Sequence, residues 1–143
     1  MRNMIKALAA SITVALALAA CATPVQRTAS GDIPPPRVYI KSMTEQAEGL
    51  SRVQFQRPGG LLNNDMLELT INDVTLAQII GGEHLTIWLK PGSYDLGAKR
   101  VHTLTNSSSS SEDKLTLQVR PGASYQLQVG TDLGGVKMRT GTP

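Results

Sequence analysis

The chain has 143 residues, 14 Lys and Arg against 11 Asp and Glu, and a single cysteine. Its length makes one domain the natural count, and one cysteine excludes a disulfide within the chain. The five aromatic residues (one Trp, three Tyr and one Phe) interleave with no basic stripe, so the composition excludes nucleic-acid binding.

At the N-terminus Arg2 and Lys6 precede an apolar run of 14 residues, ALAASITVALALAA at 7–20. That run is too short to cross a hydrocarbon layer of about 30 Å, but it suits a cleaved export signal. Directly after the small residues Ala19 and Ala20 stands Cys21. The stretch LAAC resembles the lipobox of bacterial lipoproteins. The resemblance implies cleavage between Ala20 and Cys21, a diacylglyceryl group on the Cys21 thiol and a third acyl chain on its amine. Several chains are what stable anchoring requires, since each buried methylene contributes about 0.8 kcal/mol and one chain binds only marginally. Ala22 rather than Asp follows the cysteine, which in the lipoprotein-sorting pattern implies the outer membrane, with the protein facing the periplasm. The covalent lipid is the only prosthetic group implied. The predicted mature chain of 123 residues carries 12 Lys and Arg against 11 Asp and Glu, a net charge of +1.

Residues 21–37 read as a lipidated tether: ATPVQRTASGDIPPPR is small and polar, and its three consecutive prolines, Pro34, Pro35 and Pro36, favour an extended, semi-rigid spacer. The predicted domain then spans residues 38–143. At 43–51, MTEQAEGLS suggests a short helix capped by Thr44 and stopped by Gly49.

From Arg52 onward the period is two. Val53 and Phe55; Leu67, Leu69 and Ile71; Leu85, Ile87 and Leu89; Leu115, Leu117 and Val119; and Tyr125, Leu127 and Val129 each alternate with polar or exposed positions. Such runs predict strands with one buried face. Gly, Pro and Asn punctuate them at RPGG (57–60), NND (63–65), ND (72–73), GG (81–82 and 134–135) and PG (91–92 and 121–122). The expectation is an all-β sandwich of about seven strands. After Tyr94, Leu96 and Ala98 the apolar phase slips to Val101, which predicts a β-bulge near Gly97. The serine run at 106–114 reads as a hairpin loop.

LKPGSYDLGAK (89–99) and VRPGASYQLQVG (119–130) share one plan: apolar, basic, Pro-Gly, one or two small residues, then Tyr. This predicts the same type II turn used twice, with positive φ at Gly92 and Gly122 and each tyrosine pointing inward. Together with Asn72-Asp73-Val74 these segments resemble a family of small bacterial lipoproteins that carry a domain of unknown function. The resemblance covers residues 50–132. It implies an immunoglobulin-like or transthyretin-like β-sandwich attached to the outer membrane, and it brings no activity and no catalytic residues.

Chemistry is sparse. His84 and His102 are the only histidines, and with no cysteine in the domain they fall short of the three or four ligands a zinc site needs. His102 with Asp95 and a serine at 107–111 has the residue types of a hydrolytic triad, but no G-x-S-x-G elbow accompanies them. Asp65, Glu68 and Asp73 lack EF-hand spacing and read as turn residues bonding their own backbone. Trp88 alternates outward, away from Leu85, Ile87 and Leu89. It is either a cover over the sheet beneath the 43–51 segment or a candidate partner contact, where Trp is enriched. The expectation is a membrane-anchored, non-enzymatic binding or structural module of the cell envelope, with an envelope protein as partner and no metal. The alternatives are a small-ligand or peptidoglycan-binding module that stacks sugars on Trp88, Tyr39 or Tyr125, and an accessory lipoprotein of a secretion assembly.

Overall fold

A computed structural model describes residues 31–101 and 111–141. Cys21, its lipobox and most of the serine run, with His102, lie outside the described residues.

The strands in chain order are β1 (Gly31–Asp32), β2 (Ser51–Gln56), β3 (Leu67–Ile71), β4 (Val74–Ile79), β5 (Glu83–Leu89), β6 (Gly92–Arg100), β7 (Glu112–Val119), β8 (Ser124–Asp132) and β9 (Gly135–Thr140). They form two sheets, ordered β1-β5-β2-β8-β9 and β4-β3-β6-β7. The all-β sandwich expected from the alternation is therefore present, with nine strands among the described residues. Every run read as half-buried sends its apolar set inward: Val53, Phe55, Leu67, Leu69, Ile87, Leu127 and Val129 are fully buried and share one core. Burial of each such side chain contributes about 1.5–3 kcal/mol.

Strands β2 and β5 pair antiparallel, whereas β2 and β8 pair parallel, Arg52 opposite Ser124 and Gln56 opposite Gln128. The β3–β4 hairpin turns on Asn72 and Asp73, with φ of 48° and 64°. Positive φ at both central residues is the mark of a type I′ turn, and Asn and Asp tolerate it better than other side chains.

The two Pro-Gly segments are not hairpin turns. Each lies where the chain leaves one sheet for the other, β5 to β6 and β7 to β8. Gly122, at φ 68°, holds the left-handed corner of a type II turn, closed by Ala123 N–H donating to Arg120 O at 3.3 Å. Gly92 also has the expected positive φ, 157°, but it stands as the first residue of β6 rather than at the corner of a second type II turn. What the corners do share is the tyrosine. Tyr94 Oη donates to Lys90 O at 2.9 Å. Tyr125 Oη donates to Gln118 O at 3.0 Å and accepts the Arg120 N–H at 2.9 Å. Both rings are half-buried against the core, so their hydroxyls tie each corner back on itself, the logic of a tyrosine corner.

Three further expectations are corrected. No bulge occurs at Gly97, because β6 pairs without a shift with both β3 and β7. Glycine is needed there for space: a Cβ would lie 2.4 Å from Thr70 Oγ1 of the neighbouring strand. The irregularity falls instead in the β3–β4 pairing, where Thr70 faces Thr75 and Leu69 faces Ala77, leaving Leu76 as the extra residue. Residues 43–51 form no helix. A 3-10 turn spans Lys41–Thr44, with Thr44 Oγ1 donating to Lys41 O at 2.7 Å. Residues 31–37, read from composition as tether, belong to the folded domain. Gly31 and Asp32 pair in parallel with Glu83 and His84 of β5, and Pro35–Arg37 forms a 3-10 turn.

The segment from Gly31 to Ile40 acts as a strap. Having paired with β5 in one sheet, it crosses to the other, where Val38 bridges Ala77 and Tyr39 N–H donates to Leu76 O at 2.9 Å. Ile33 and Val38 plug the gap between the sheets. The strap thereby covers two edges that would otherwise offer unpaired backbone groups. On the opposite side β9 leans on β7, and Asp113 Oδ2 accepts the Met138 N–H at 2.8 Å.

Candidate functional site

The ends of the sandwich carry the polar chemistry. At one end β2, β4, β6 and β8 finish, β3, β5, β7 and β9 begin, and Gly31 enters. This entry end is built around Arg57, whose side chain is wholly buried. Its Nη1 donates to Asp65 O and, at 3.1 Å, to Ile79 O, and its Nη2 pairs with Asp65 Oδ1. Thr131 Oγ1 lies 3.5 Å from Nη2. One guanidinium thus links the end of β2, the loop before β3, the end of β4 and the end of β8. Burial pushes the Arg57 pKa below its ordinary value, and the hydrogen bond and charge of Asp65 oppose that shift. Arg57 Nε has no hydrogen-bond partner among the described residues.

Asp65 also faces Arg100, Nε 3.2 Å from Oδ2, an ion pair without hydrogen-bond geometry. Beside this cluster Glu83, 8% exposed, takes a two-pronged contact from Arg37 of the strap. Arg37 Nη1 lies 2.9 Å from Glu83 Oε2, which also accepts the Ile80 N–H at 3.0 Å. Asn63 completes the assembly: its Oδ1 accepts the Thr131 N–H and its carbonyl the Gly81 N–H, both at 3.0 Å. Gly81 has no room for a side chain, since a Cβ would stand 2.5 Å from Asn63 O.

Apart from Arg57 Nε and Arg100 Nε, which make no hydrogen bond among the described residues, these groups satisfy one another. A buried guanidinium aimed at carbonyls and one carboxylate holds loops in place; it presents no donor to solvent. Outside it stand apolar side chains with little cover. Leu61 is 91% exposed, Leu62 61% and Leu133 94%. Leu61 and Leu62 open the 3-10 turn Leu61–Asn63, and Leu133 tips the β8–β9 hairpin. Sequence reading missed both layers. RPGG was read as a turn, and nothing in the spacing of 57, 65 and 100 signals that a loop folds back over its own arginine.

The residues singled out from sequence are dispersed. Trp88 is half-buried on the outer face of its sheet, directly opposite Arg52 of β2, and the 3-10 turn Lys41–Thr44 packs on the same strand. Tyr125 stands opposite Val53 in the same sheet and points to the inner face, so Trp88 and Tyr125 form no common stacking platform. Tyr39 lies on the strap, 53% exposed. His84 shares the outer face with Trp88, its Nε2 2.9 Å from Asp32 Oδ1.

Asp95 Oδ1 accepts the Thr116 hydroxyl at 2.7 Å, while its triad candidates His102 and the serines at 107–110 lie outside the described residues. Glu68 accepts from Thr75 Oγ1 at 2.7 Å and pairs with Lys99 at 3.0 Å. Asp73 pairs with Lys114 at 2.7 Å. Asp65, Glu68 and Asp73 therefore have separate partners, and among the described residues no three His, Cys, Asp or Glu side chains gather. Cys21, with its cleavage partner Ala20, lies outside the described residues. The chain matches no protein-family model and no curated protein.

Proposed function

We propose that the chain is a lipid-anchored lipoprotein of the outer membrane, facing the periplasm, whose sandwich serves as a non-enzymatic binding or structural module of the cell envelope. The observation that carries this reading is the lone cysteine at the end of the apolar run, LAAC, ten positions before Gly31, the first described residue. The fold is compatible with it. The polar groups at the entry end are spent on one another, and the groups dispersed elsewhere, Trp88 among them, suit a contact surface better than a reaction centre.

Cys21→Ser tests the anchor. The variant should lose the acyl mass and leave the membrane fraction, either as a soluble form or as uncleaved precursor. Unchanged fractionation with outer membranes would reject the reading. A pull-down of the lipidated protein from solubilised envelopes tests the module: one abundant protein partner supports it. Retention on peptidoglycan without a protein partner would replace it with glycan binding.

A further inference from the structure

From the placement of its exposed leucines we infer that the entry end of the sandwich is a lipid-facing surface, with Leu61, Leu62 and Leu133 dipping into the bilayer that holds the anchor. The inference rests on the lipid-anchored reading, and three observations carry it. The first is direction. Strand β1 runs parallel to β5, Gly31 beside Glu83 and Asp32 beside His84, so Gly31, the first described residue after the anchor, lies at the entry end. Nine residues lie between Cys21 and Gly31, and ten steps of at most about 3.3–3.6 Å each hold that end within roughly 35 Å of the lipid attachment.

The second is where the exposed apolar residues fall. Six large apolar side chains are exposed among the described residues, and four of them, Leu61, Leu62, Met66 and Leu133, belong to this end. The others are isolated: Val74 at the opposite end and Tyr39 on the strap. A cluster at one end calls for a partner in a way that scattered residues do not.

The third is charge. Approach to lipid penalises unpaired carboxylates, and those nearest the leucines are paired: Asp65 with Arg57 and Arg100, Glu83 with Arg37, and Asp132 with Arg139 at 3.9 Å. Of the other acids at this end, Glu112 lies 3.4 Å from Lys114 Nζ and Asp32, 84% exposed, 2.9 Å from His84 Nε2. An end whose acids mostly have such partners can approach a headgroup layer, where apolar tips sink about 5–10 Å.

A fluorescent depth probe tests this. The full lipidated protein carrying Leu133→Cys, and separately Val74→Cys, is labelled with an environment-sensitive dye and placed in phosphatidylethanolamine–phosphatidylglycerol vesicles containing spin-labelled lipids. Cys21→Ser/Leu133→Cys is run beside them, and intact mass reads acylation independently. The expected result is blue-shifted, strongly quenched emission at 133 and water-like, unquenched emission at 74. Adding Leu61→Ser and Leu62→Ser should reduce the quenching at 133 with the melting temperature unchanged, because both side chains are already exposed. Emission at 133 as water-like as at 74 would overturn the inference, as would equal immersion of both sites; a soluble partner would then be the better occupant. If the mass shows acylation and 133 stays in water, the inference falls and the anchor stands. If the mass shows no acyl chain but 133 is immersed, the anchor falls and the surface stands. No acylation and no immersion would remove both.

Discussion

At the far end of the sandwich, closure is local: Asn72 and Asp73 turn a hairpin on their own φ angles, and Tyr94 and Tyr125 each tie back a corner four to seven residues away. At the entry end, closure is long-range. Arg57 reaches 22 residues to Ile79 and 74 to Thr131, and Arg37 reaches 46 to Glu83. The same task, sealing the end of two packed sheets, is divided among several small contributions in one place and concentrated in one buried side chain in the other. Local closure is redundant, so single losses should be mild. Concentrated closure should fail as a unit.

The largest effect should therefore come from Arg57→Ala. It strips donors from the Asp65 and Ile79 carbonyls and leaves the Asp65 carboxylate with Arg100 alone, a disruption of the kind that costs about 3–5 kcal/mol. Urea denaturation of variant and parent reads it directly. At the far end, Gly122→Ala forces an L-residue into the left-handed region and should cost about 1–2 kcal/mol. If that loss equals the loss at Arg57, the contrast between the ends is broken.

The tyrosines sharpen the comparison within the far end. Tyr125→Phe removes two hydrogen bonds and Tyr94→Phe one, at about 0.5–1.5 kcal/mol each. The first variant should melt below the second, and the double variant should be close to additive, since the corners share no partner. The smallest effect lies between the ends. The Thr75 hydroxyl, with Lys99 assisting, holds the Glu68 carboxyl below its ordinary pKa. A depressed carboxylate adds stability above the ordinary glutamate range, and that contribution disappears as pH falls through the folded-state value. Glu68→Gln should therefore lower stability slightly at neutral pH and converge with the parent in acid, flattening the acid limb of the stability profile. Thermal melts from pH 7 to pH 3 decide it.

How much of this was legible follows the same division. The five alternating runs gave correct inward faces, because each strand's period is a local property. The Asn-Asp turn was readable for the same reason. Strand β4 was not: Leu76 and Ala77 are both buried where the pairing with β3 slips, so VTLAQII shows no alternation. Strand β9 is short, and only Val136 and Met138 mark its inner face. The strap was hidden by composition, since prolines that favour an extended spacer equally suit a segment crossing an edge, and only Ile33 and Val38 betray that it is buried. Gly97 looked like a bulge because its constraint comes from Thr70, on another strand. Of the candidate site, Trp88 and His84 lie on the outer face that alternation gave them. The Arg57 cluster and the grouped leucines depend on which loops meet in space, which no local pattern encodes.

The parallel pairing of β2 with β8 has a kinetic consequence. Ser51 Oγ donates to Arg120 O across 69 residues, so the central seam of its sheet cannot close until nearly the whole domain is available. The β3–β4 hairpin and the β6–β7 pair need only neighbouring segments and can form first, giving a four-stranded platform with its apolar face open. Chains dominated by such distant pairings fold in milliseconds to seconds. During that interval Val53 and Phe55 remain without their β8 neighbours, which makes the joining of β8 the step most exposed to aggregation and the natural place to look for a rate-limiting phase.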